Sequence, residues 1–435
     1  MNRLYRLFLF VVLACGTAQV AANPDILQWQ TRNGARVYFV AAPQLPMVDI
    51  QVVFDAGSAR DEGKGGLAVL TNGLLAEGAG TLDANAIAER FDGIGARFTN
   101  SALRDMSVVS LRSLTDKKLL ATALDTFATV LQQPTFRAEA LERVRNQMLI
   151  ALQDKEQSPG AIAEQNFYRA LYGNHPYAAP SEGSSDSVKA LSRDDVVNFH
   201  RRYFVARNAV VAIVGAVDRR QAERIAEQLT QRLPAGEAAP VLPAVAMPTQ
   251  AASIHVPHPS TQTHILMGQP GLRRNDADYF PLYVGNFILG GSGFTSRITQ
   301  QIREQRGLAY SAYSYFLPMR EQGPLLLGLQ TRNASADEAQ QVLHETLEQF
   351  LKEGPSAREL EAAKKNITGG FALNVDSNSD IVQFLAMIGF YGLPADYLDS
   401  YIEQVNSVTV EQIRDAFSRR IAADHMVTVT VGGKR

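Results

Sequence analysis

The stretch 188-VKALSRDDVVNFHRRYFVARNAVVAIVGAVD-218 predicts a short helix capped by Ser192, followed by an apolar strand that ends at Gly215. The same pattern returns at the end of the chain, in 405-VNSVTVEQIRDAFSRRIAADHMVTVTVGGKR-435, where Thr409 takes the place of the capping serine. A helix and strand that recur in this way near the middle and at the end of the chain indicate a tandem duplication of one domain.

A stretch rich in proline and alanine, 233-LPAGEAAPVLPAVAMPTQ-250, lies between the two copies and predicts a semi-rigid linker. We therefore expect a first domain over residues 23–232 and a second domain over residues 251–435. Within the first copy, strand-like segments precede long helical patterns; the segments are 35–42 and 48–54, and the helical patterns are 115–134 and 137–157. The predicted class is α+β, with two homologous domains in tandem, each an antiparallel-type sheet packed against several helices.

The composition is that of a folded protein, with 46% hydrophobic and 20% charged residues and a net charge of -2. This charge predicts no attraction to nucleic acid or to anionic lipid. Residues 1–22 carry two arginines, a short apolar run and small residues before Ala22, which is typical of a secretory signal peptide. We expect secretion across the inner membrane to the periplasm, with no transmembrane segment in the mature chain. The alternative is a lipoprotein anchored through Cys15, because 12-VLAC-15 resembles a lipobox.

The stretch 55-DAGSARDEGKGGLAVLTNGLLAEGAG-80 predicts a second helix with an unusual composition. Its leucines have the spacing of a buried helical face: Leu67, Leu70, Leu74 and Leu75. Another face of the same helix carries Val69, Asn72 and Gly73, whose side chains have almost no group that could bind a metal or take part in catalysis.

This stretch resembles the signature segment of the insulinase, pitrilysin and mitochondrial processing peptidase family, the inverted zincins. In active members the helix carries His-x-x-Glu-His, whose histidines bind zinc and whose glutamate activates a water molecule. The resemblance places those three positions at Val69, Asn72 and Gly73, which are poor zinc ligands. The third ligand of the family is a glutamate that would fall near 147–153, where this sequence has no acid. The resemblance therefore implies a vacated zinc site and no cofactor in this chain.

Metal ligands are not evident elsewhere in the sequence. None of the seven histidines forms a pair with the helical spacing of four residues. Three of them lie within 253-SIHVPHPSTQTHIL-266, a strand-like segment broken by prolines, where surface or edge-strand histidines are the simpler interpretation. We expect the acids beside the vacated helix to be solvated loop carboxylates; these are Asp61, Glu62 and Glu77.

The second half contains 286-NFILGGSGFTSRITQQIREQRGLAYSAYSYF-316, which predicts a glycine-rich turn and then an amphipathic helix. Phe294, Ile298 and Ile302 are four residues apart and predict its buried face. The helix is expected to stop at Gly307, and a strand follows. We expect the later aromatic residues of this strand to pack in the sheet and core; they are Tyr313, Tyr315 and Phe316.

This segment resembles the second domain of the same family, in which an arginine and a tyrosine seven residues apart line the substrate cleft. The matching residues here are Arg303 and Tyr310. The resemblance implies substrate binding, because a guanidinium group and a phenol can both donate hydrogen bonds to a peptide carbonyl or a developing oxyanion. A purely structural role stays open, since an arginine in a last helical turn and a tyrosine at the start of a strand are common.

Enzymes of the bacterial and mitochondrial branches often pair a zinc-bearing subunit with a homologous subunit that lacks zinc. The resemblance implies that this chain is the non-catalytic subunit of a heterodimeric zinc metalloendopeptidase. Zinc is then expected in the homologous partner subunit, and the substrate is a peptide or an unfolded polypeptide. Two alternatives stay open: a scaffold or peptide-binding module without a proteolytic role, and, less favoured, an autonomous metallopeptidase with unusual ligands.

Overall fold

The computed structural model describes residues 25–433, so the predicted signal peptide and Cys15 lie outside the described residues. Two large sheets, one in each of two tandem domains, organise this part of the chain, and the first domain also has a small two-stranded sheet. Among residues 25–433 no helix is both long enough and apolar enough to span a bilayer.

The first domain begins with strands and continues mainly with helices. Its strands are β1 Leu27–Gln30, β2 Arg36–Ala41, β3 Met47–Phe54, β4 Gly78–Ala79, β5 Leu82–Asp83, β6 Arg97–Ala102, β7 Ser107–Leu114 and β8 Ala209–Gly215. Its helices are α1 Leu67–Gly73, α2 Ala84–Asp92, α3 Lys117–Gln132, α4 Ala138–Glu156, α5 Pro159–Tyr172, α6 Ser185–Ala190, α7 Arg193–Tyr203 and α8 Arg219–Thr230.

The second domain repeats most of this order. Its strands are β9 Ala252–Val256, β10 Gln262–Pro270, β11 Ala309–Phe316, β12 Pro324–Arg332 and β13 Val427–Val431. Its helices are α9 Tyr279–Asn286, α10 Arg297–Thr299, α11 Ala336–Glu353, α12 Ala357–Phe371, α13 Asn378–Tyr391, α14 Tyr397–Ser407 and α15 Val410–Arg420.

The two sheets have the same topology, which confirms the predicted duplication. The first runs β1-β2-β8-β3-β7-β6, and the second, read from its far edge, runs β9-β13-β10-β12-β11. The prediction of an antiparallel-type sheet needs one correction, because β8 lies parallel to β2 and β13 lies parallel to β9. Each parallel pair joins the first long strand of a domain to its last one, after a long helical connection that such pairs require.

Several local predictions are confirmed by these elements. The strands expected at 35–42 and 48–54 are β2 and β3, and the helices expected at 115–134 and 137–157 are α3 and α4. Ser192 and Thr409 each cap their helix and form a capping box with the third residue of the first turn.

One helix of each domain packs on the sheet of the other domain. The helix α5 of the first domain packs on β10 and β13 of the second sheet, and α13 of the second domain packs on β8 and β3 of the first sheet. Close approach is possible because glycines face large rings: a β-carbon at Gly268 would lie 2.8 Å from the ring of Phe167, and Gly389 faces Tyr38 in the same way. Separating the domains would therefore expose apolar faces of both sheets to water.

A buried polar cluster also joins the two domains. Asp105 is 4% exposed, and its carboxylate accepts hydrogen bonds from the Tyr177 hydroxyl at 2.6 Å and the Tyr391 hydroxyl at 3.1 Å. It also accepts a bond from the backbone N–H of Arg320 at 2.7 Å. Tyr177 belongs to the first domain, whereas Tyr391 and Arg320 belong to the second. The cluster therefore fixes the two domains relative to each other.

The predicted linker has no helix or strand between residues 231 and 251, and it runs along the surface of the first domain. The backbone carbonyl of Pro240 accepts a hydrogen bond from Arg60 at 2.7 Å, and that of Pro243 lies 2.9 Å from Nε2 of His175. The domain bounds 23–232 and 251–435 themselves stay predictions.

Candidate functional site

The helix α1 has the buried face that its leucines predict. Leu67 is 5% exposed, and Leu70, Leu74 and Leu75 are fully buried. The helix is shorter than the predicted segment, since it ends at Gly73 and the chain turns toward the two-residue strand β4. Its N-cap is Gly66, which has no side chain to accept a hydrogen bond from the first turn.

Asp61 supplies the missing cap from the preceding loop. Its two carboxylate oxygens accept hydrogen bonds from the backbone N–H groups of Gly66 at 2.9 Å and Ala68 at 2.8 Å. Asp61 is 4% exposed, so the expectation of a solvated loop carboxylate is wrong for this residue. Burial raises the pKa of the carboxyl group to about 7, and the backbone hydrogen bonds only partly oppose this rise.

The other two acids beside α1 lie nearer the surface, as expected. Glu62 is exposed and pairs with Arg202 at 2.6 Å, and Glu77 pairs with Arg143 of α4. Both carboxylates pair with arginine, and neither belongs to a group of three potential metal ligands within residues 25–433.

Asn72, at the position of the family's catalytic glutamate, is part of the packing rather than a free ligand. It is 2% exposed, and its side-chain nitrogen lies 3.5 Å from the backbone oxygen of Val108. The side chain of Asn100, on the edge strand β6, donates a 2.6 Å hydrogen bond to the backbone carbonyl of Asn72. The hydrogen bond from Asn100 therefore links α1 to the edge strand of the sheet.

The two positions of the zinc-binding histidines are equally unsuited to a metal. Val69 carries no lone pair, and Gly73 packs toward α4, where a β-carbon would already lie 3.4 Å from Cγ1 of Val144. Among residues 25–433 no three histidine, cysteine, aspartate or glutamate side chains lie together so that they could hold a metal ion. The family's zinc does not fit the residues present on α1.

The histidines of the segment 253–266 make ordinary structural contacts. His255 lies on the edge strand β9, and its Nδ1 is 2.9 Å from the hydroxyl of Thr430. His264 is half-buried on the central strand β10, so it is not an edge-strand residue. Burial lowers the pKa of His264, and the nearby His258 lowers it further.

The second predicted site begins with a break in the expected helix. Ile298 and Ile302 are fully buried, as predicted, but Phe294 lies in a preceding 3-10 turn and is 67% exposed. Ser296 stands between them in an extended conformation and caps α10, so the helical periodicity does not reach back to Phe294. After α10 the chain continues as a π-helical turn over Gln300–Glu304 and ends at Gly307, whose φ is 60°.

Arg303 and Tyr310, which the sequence predicts as a pair, are in contact. The guanidinium carbon of Arg303 lies over the ring of Tyr310, 4.7 Å from its centroid, and over the ring of Phe294, 4.6 Å from its centroid. Nε of Arg303 is 3.4 Å from the carboxylate of Glu304. Tyr310 is 82% exposed, which is unusual for a large aromatic side chain.

The pair and the vacated helix lie at corresponding edges of the two sheets. The helix α1 packs beside β6, the last strand of the first sheet, and the turn that carries Arg303 packs beside β11, the last strand of the second. On β11, Tyr313 and Tyr315 stack on each other with ring centroids 5.9 Å apart. They are 38% and 39% exposed, so the expectation that they pack in the core is only partly met.

A cleft of about 910 Å³ opens between the domains. It is lined by residues of both, among them Leu103 and Arg104 after β6, Leu317 after β11, and Tyr391 of α13. The sequence alone did not indicate this cleft, because its walls are distant in the chain and meet only through the exchange of α5 and α13.

The chain is similar to known proteins over most of its length. Residues 36–185 match the family model described as insulinase (peptidase family M16), and residues 190–367 match the one described as peptidase M16 inactive domain. The chain is 23% identical over 406 residues to a Bacillus subtilis protein named uncharacterized zinc protease YmxG, covering 93% of this chain and 98% of that protein. It is 25% identical over 395 residues to a Helicobacter pylori protein named non-peptidase homolog YmxG, covering 90% of each.

Solved structures extend the similarity over both domains. The chain is 40% identical to a peptidase M16 inactive domain from Pseudomonas fluorescens, with a TM-score of 0.91 over 94% of this chain and 98% of that one. A chain of complex III2 from Candida albicans has the same fold, with a TM-score of 0.77 at 16% identity over 93% of this chain and 95% of that one. The chain belongs to peptidase family M16, the insulinase family, and its residues 190–367 match the model described as that family's inactive domain.

Proposed function

We propose that this chain is the non-catalytic subunit of a heterodimeric zinc metalloendopeptidase. The observation that carries the proposal is a contrast within one molecule: α1 has lost every zinc ligand, whereas Arg303 and Tyr310 stay in contact at the surface of the second domain. The contact of the exposed Tyr310 ring with the guanidinium group of Arg303 supports a binding role for the second domain.

The proposal requires a homologous partner subunit that carries the His-x-x-Glu-His motif. The zinc expected in that partner would activate the attacking water there. The residues of this chain would contribute binding, not hydrolysis.

Arg303 and Tyr310 have the chemistry for that contribution. Nε of Arg303 lies 3.4 Å from Glu304, and a guanidinium group has five N–H donors, so donors remain that can bind a ligand. The phenol of Tyr310 is open to solvent and is a second donor. Together they can bind a peptide carbonyl and stabilise the negative charge that develops on it during hydrolysis in the partner's site.

The test is to mix the purified chain with a zinc-bearing homologue from the same host. We expect no stoichiometric zinc and no peptidase activity from this chain alone, and activity from the mixture. The variant Arg303→Ala with Tyr310→Phe should lower kcat/KM of the mixture by about 10²-fold or more. A matched control is Arg306→Ala with Tyr313→Phe, which changes the same residue types nearby and should retain activity.

Two outcomes would decide against the proposal. Full activity of the Arg303 and Tyr310 variant would favour a scaffold or peptide-binding role without a part in proteolysis. Stoichiometric zinc in the chain alone would favour an autonomous metallopeptidase.

We also propose that the mature chain acts in the periplasm, from the signal-like residues 1–22. Fractionation of the native host should recover it with the soluble periplasmic proteins and with an N-terminus at Asn23. Recovery in the membrane fraction with a lipid on Cys15 would support the lipoprotein alternative.

A further inference from the structure

We infer that Phe294 is a third recognition residue of this site and that the site selects peptides with an aromatic side chain beside the bound carbonyl. The inference rests on the proposed peptide-binding function and adds a substrate class to it. Its basis is the contact of one guanidinium group with two exposed rings.

The loop before α10 holds Phe294 away from the core. Gly293 has a φ of 61°, which other residues rarely adopt, and it turns the chain just before Phe294. Ser296 then caps α10, so the loop is held at both ends. A phenylalanine that is 67% exposed gains little from the fold, and its one described ring contact is with Arg303.

The two rings orient Arg303. Its side chain is 28% exposed, and its guanidinium carbon lies over both rings, 4.6 Å from the centroid of Phe294 and 4.7 Å from that of Tyr310. The N–H donors of a guanidinium group lie in its plane, where they can reach a planar acceptor while the rings hold the group in place. The stack therefore presents donors that are already oriented before a ligand binds.

The charges nearby favour a neutral acceptor over a carboxylate. Glu304 lies 3.4 Å from Nε of Arg303 and supplies a negative charge at the site. A ligand carboxylate would be repelled by Glu304, whereas a peptide carbonyl carries no net charge. Glu304 therefore offsets part of the attraction of Arg303 for a free C-terminus, and we take an internal stretch of peptide as the ligand.

Phe294 and Tyr310 are 67% and 82% exposed, so both rings are accessible to a peptide that binds Arg303. Exposed aromatic rings with a central arginine form the kind of surface that carries most of the energy in peptide and protein recognition. An aromatic side chain of the peptide can stack on one of these rings and extend the cation–π arrangement. A glycine or alanine at the same place would leave both rings in water.

Direct binding to the isolated full chain tests the inference. The probes are two fluorescein-labelled Gly/Ser peptides that differ at one central position, Phe or Ala, measured by fluorescence anisotropy. We expect the Phe peptide to bind about tenfold more tightly than the Ala peptide, and Phe294→Ala to abolish this preference. Phe294→Leu should retain part of it, and Tyr313→Ala, a control on the neighbouring strand, should leave it unchanged.

The outcomes separate this inference from the proposed function. If Phe294→Ala retains the full preference for the Phe peptide while Arg303→Ala with Tyr310→Phe inactivates the mixture, this inference is wrong and the proposed function stands. If the preference depends on Phe294 but no partner is activated, the site binds peptides without completing a peptidase. Equal binding of both peptides by the unmodified chain would also overturn the inference.

Discussion

The two domains place different residues at the same point of the same topology. In the first, Phe91 at the end of α2 stacks on Phe98 of β6 with ring centroids 5.3 Å apart, and Phe91 is 3% exposed. In the second, Arg303 and Tyr310 have the same spacing of seven residues and the same position before and on β11, but Tyr310 is 82% exposed. Duplication preserved the geometry of the pair, and the residue types decided whether it faces the core or the solvent.

The physical reason is the cost of burying a charge. Two phenylalanines can close on each other and remove apolar surface from water. A guanidinium group at the position of Phe91 cannot be buried without an acceptor, so Arg303 keeps the second pair at the surface. We therefore expect the first pair to determine stability and the second to determine binding.

The largest effect should come from truncating the buried pair. Phe91→Ala removes a buried ring and should lower the free energy of unfolding by about 3–5 kcal/mol. Tyr310→Ala removes an exposed ring and should change it by no more than about 0.5 kcal/mol. Urea unfolding of the two variants provides the measurement, and equal losses would mean that the two pairs do not differ as the structure indicates.

A pH effect should follow from Asp61, which caps α1 in the first domain. Its pKa rises on folding from 3.8 to about 7, so the folded chain holds a proton that the unfolded chain releases between these values. Stability should therefore fall as pH rises from about 4 to 7, by at most about 4 kcal/mol.

The matching variant is Asp61→Asn, which cannot titrate. It should be less stable at low pH, because an amide offers one acceptor to the two backbone N–H groups. Its stability should show a smaller slope between pH 4 and 7, as measured by urea midpoints. An unchanged slope would assign the pH dependence to other groups.

Restoring the zinc motif should destabilise the first domain rather than create a metal site. A β-carbon at Gly73 would make an ordinary contact with Cγ1 of Val144 at 3.4 Å, so Gly73→Ala should be tolerated, whereas the larger imidazole of Gly73→His has to fit beside Val144 and should cost about 1–3 kcal/mol. The triple variant Val69→His, Asn72→Glu and Gly73→His should bind less than one zinc per chain, because residues 147–153 of α4 supply no acid. Stoichiometric zinc in that variant would show that the packing of α1 does not prevent a zinc site from forming there.

The smallest effect should come from a conservative change in the second pair. Arg303→Lys keeps the charge but loses the planar fork, and should lower kcat/KM of the reconstituted enzyme about tenfold, equivalent to about 1.4 kcal/mol. Phe91→Leu is the matched change at the corresponding position and should leave kcat/KM unaltered. If both variants have the same kcat/KM, the second pair has no role beyond that of the first.

Most of the fold could be predicted from the sequence because its signals are local. Helical periodicity and the caps Ser192 and Thr409 depend on neighbouring residues, and the structure has them where expected. Asp61 and Phe294 were predicted wrongly for one reason: burial depends on what the rest of the chain places around a residue. Asp61 is enclosed by the start of α1, and Phe294 is left outside by the cap at Ser296.

The sequence by itself determined the duplication. It also determined that α1 lacks zinc ligands, since the side chains at Val69, Asn72 and Gly73 are poor zinc ligands in any fold. Only the tertiary structure decided the exchange of α5 and α13, the cleft between the domains and the contact of Arg303 with both Phe294 and Tyr310. These features join residues through space and not through local periodicity, so they depend on how the two sheets are covered when the chain folds.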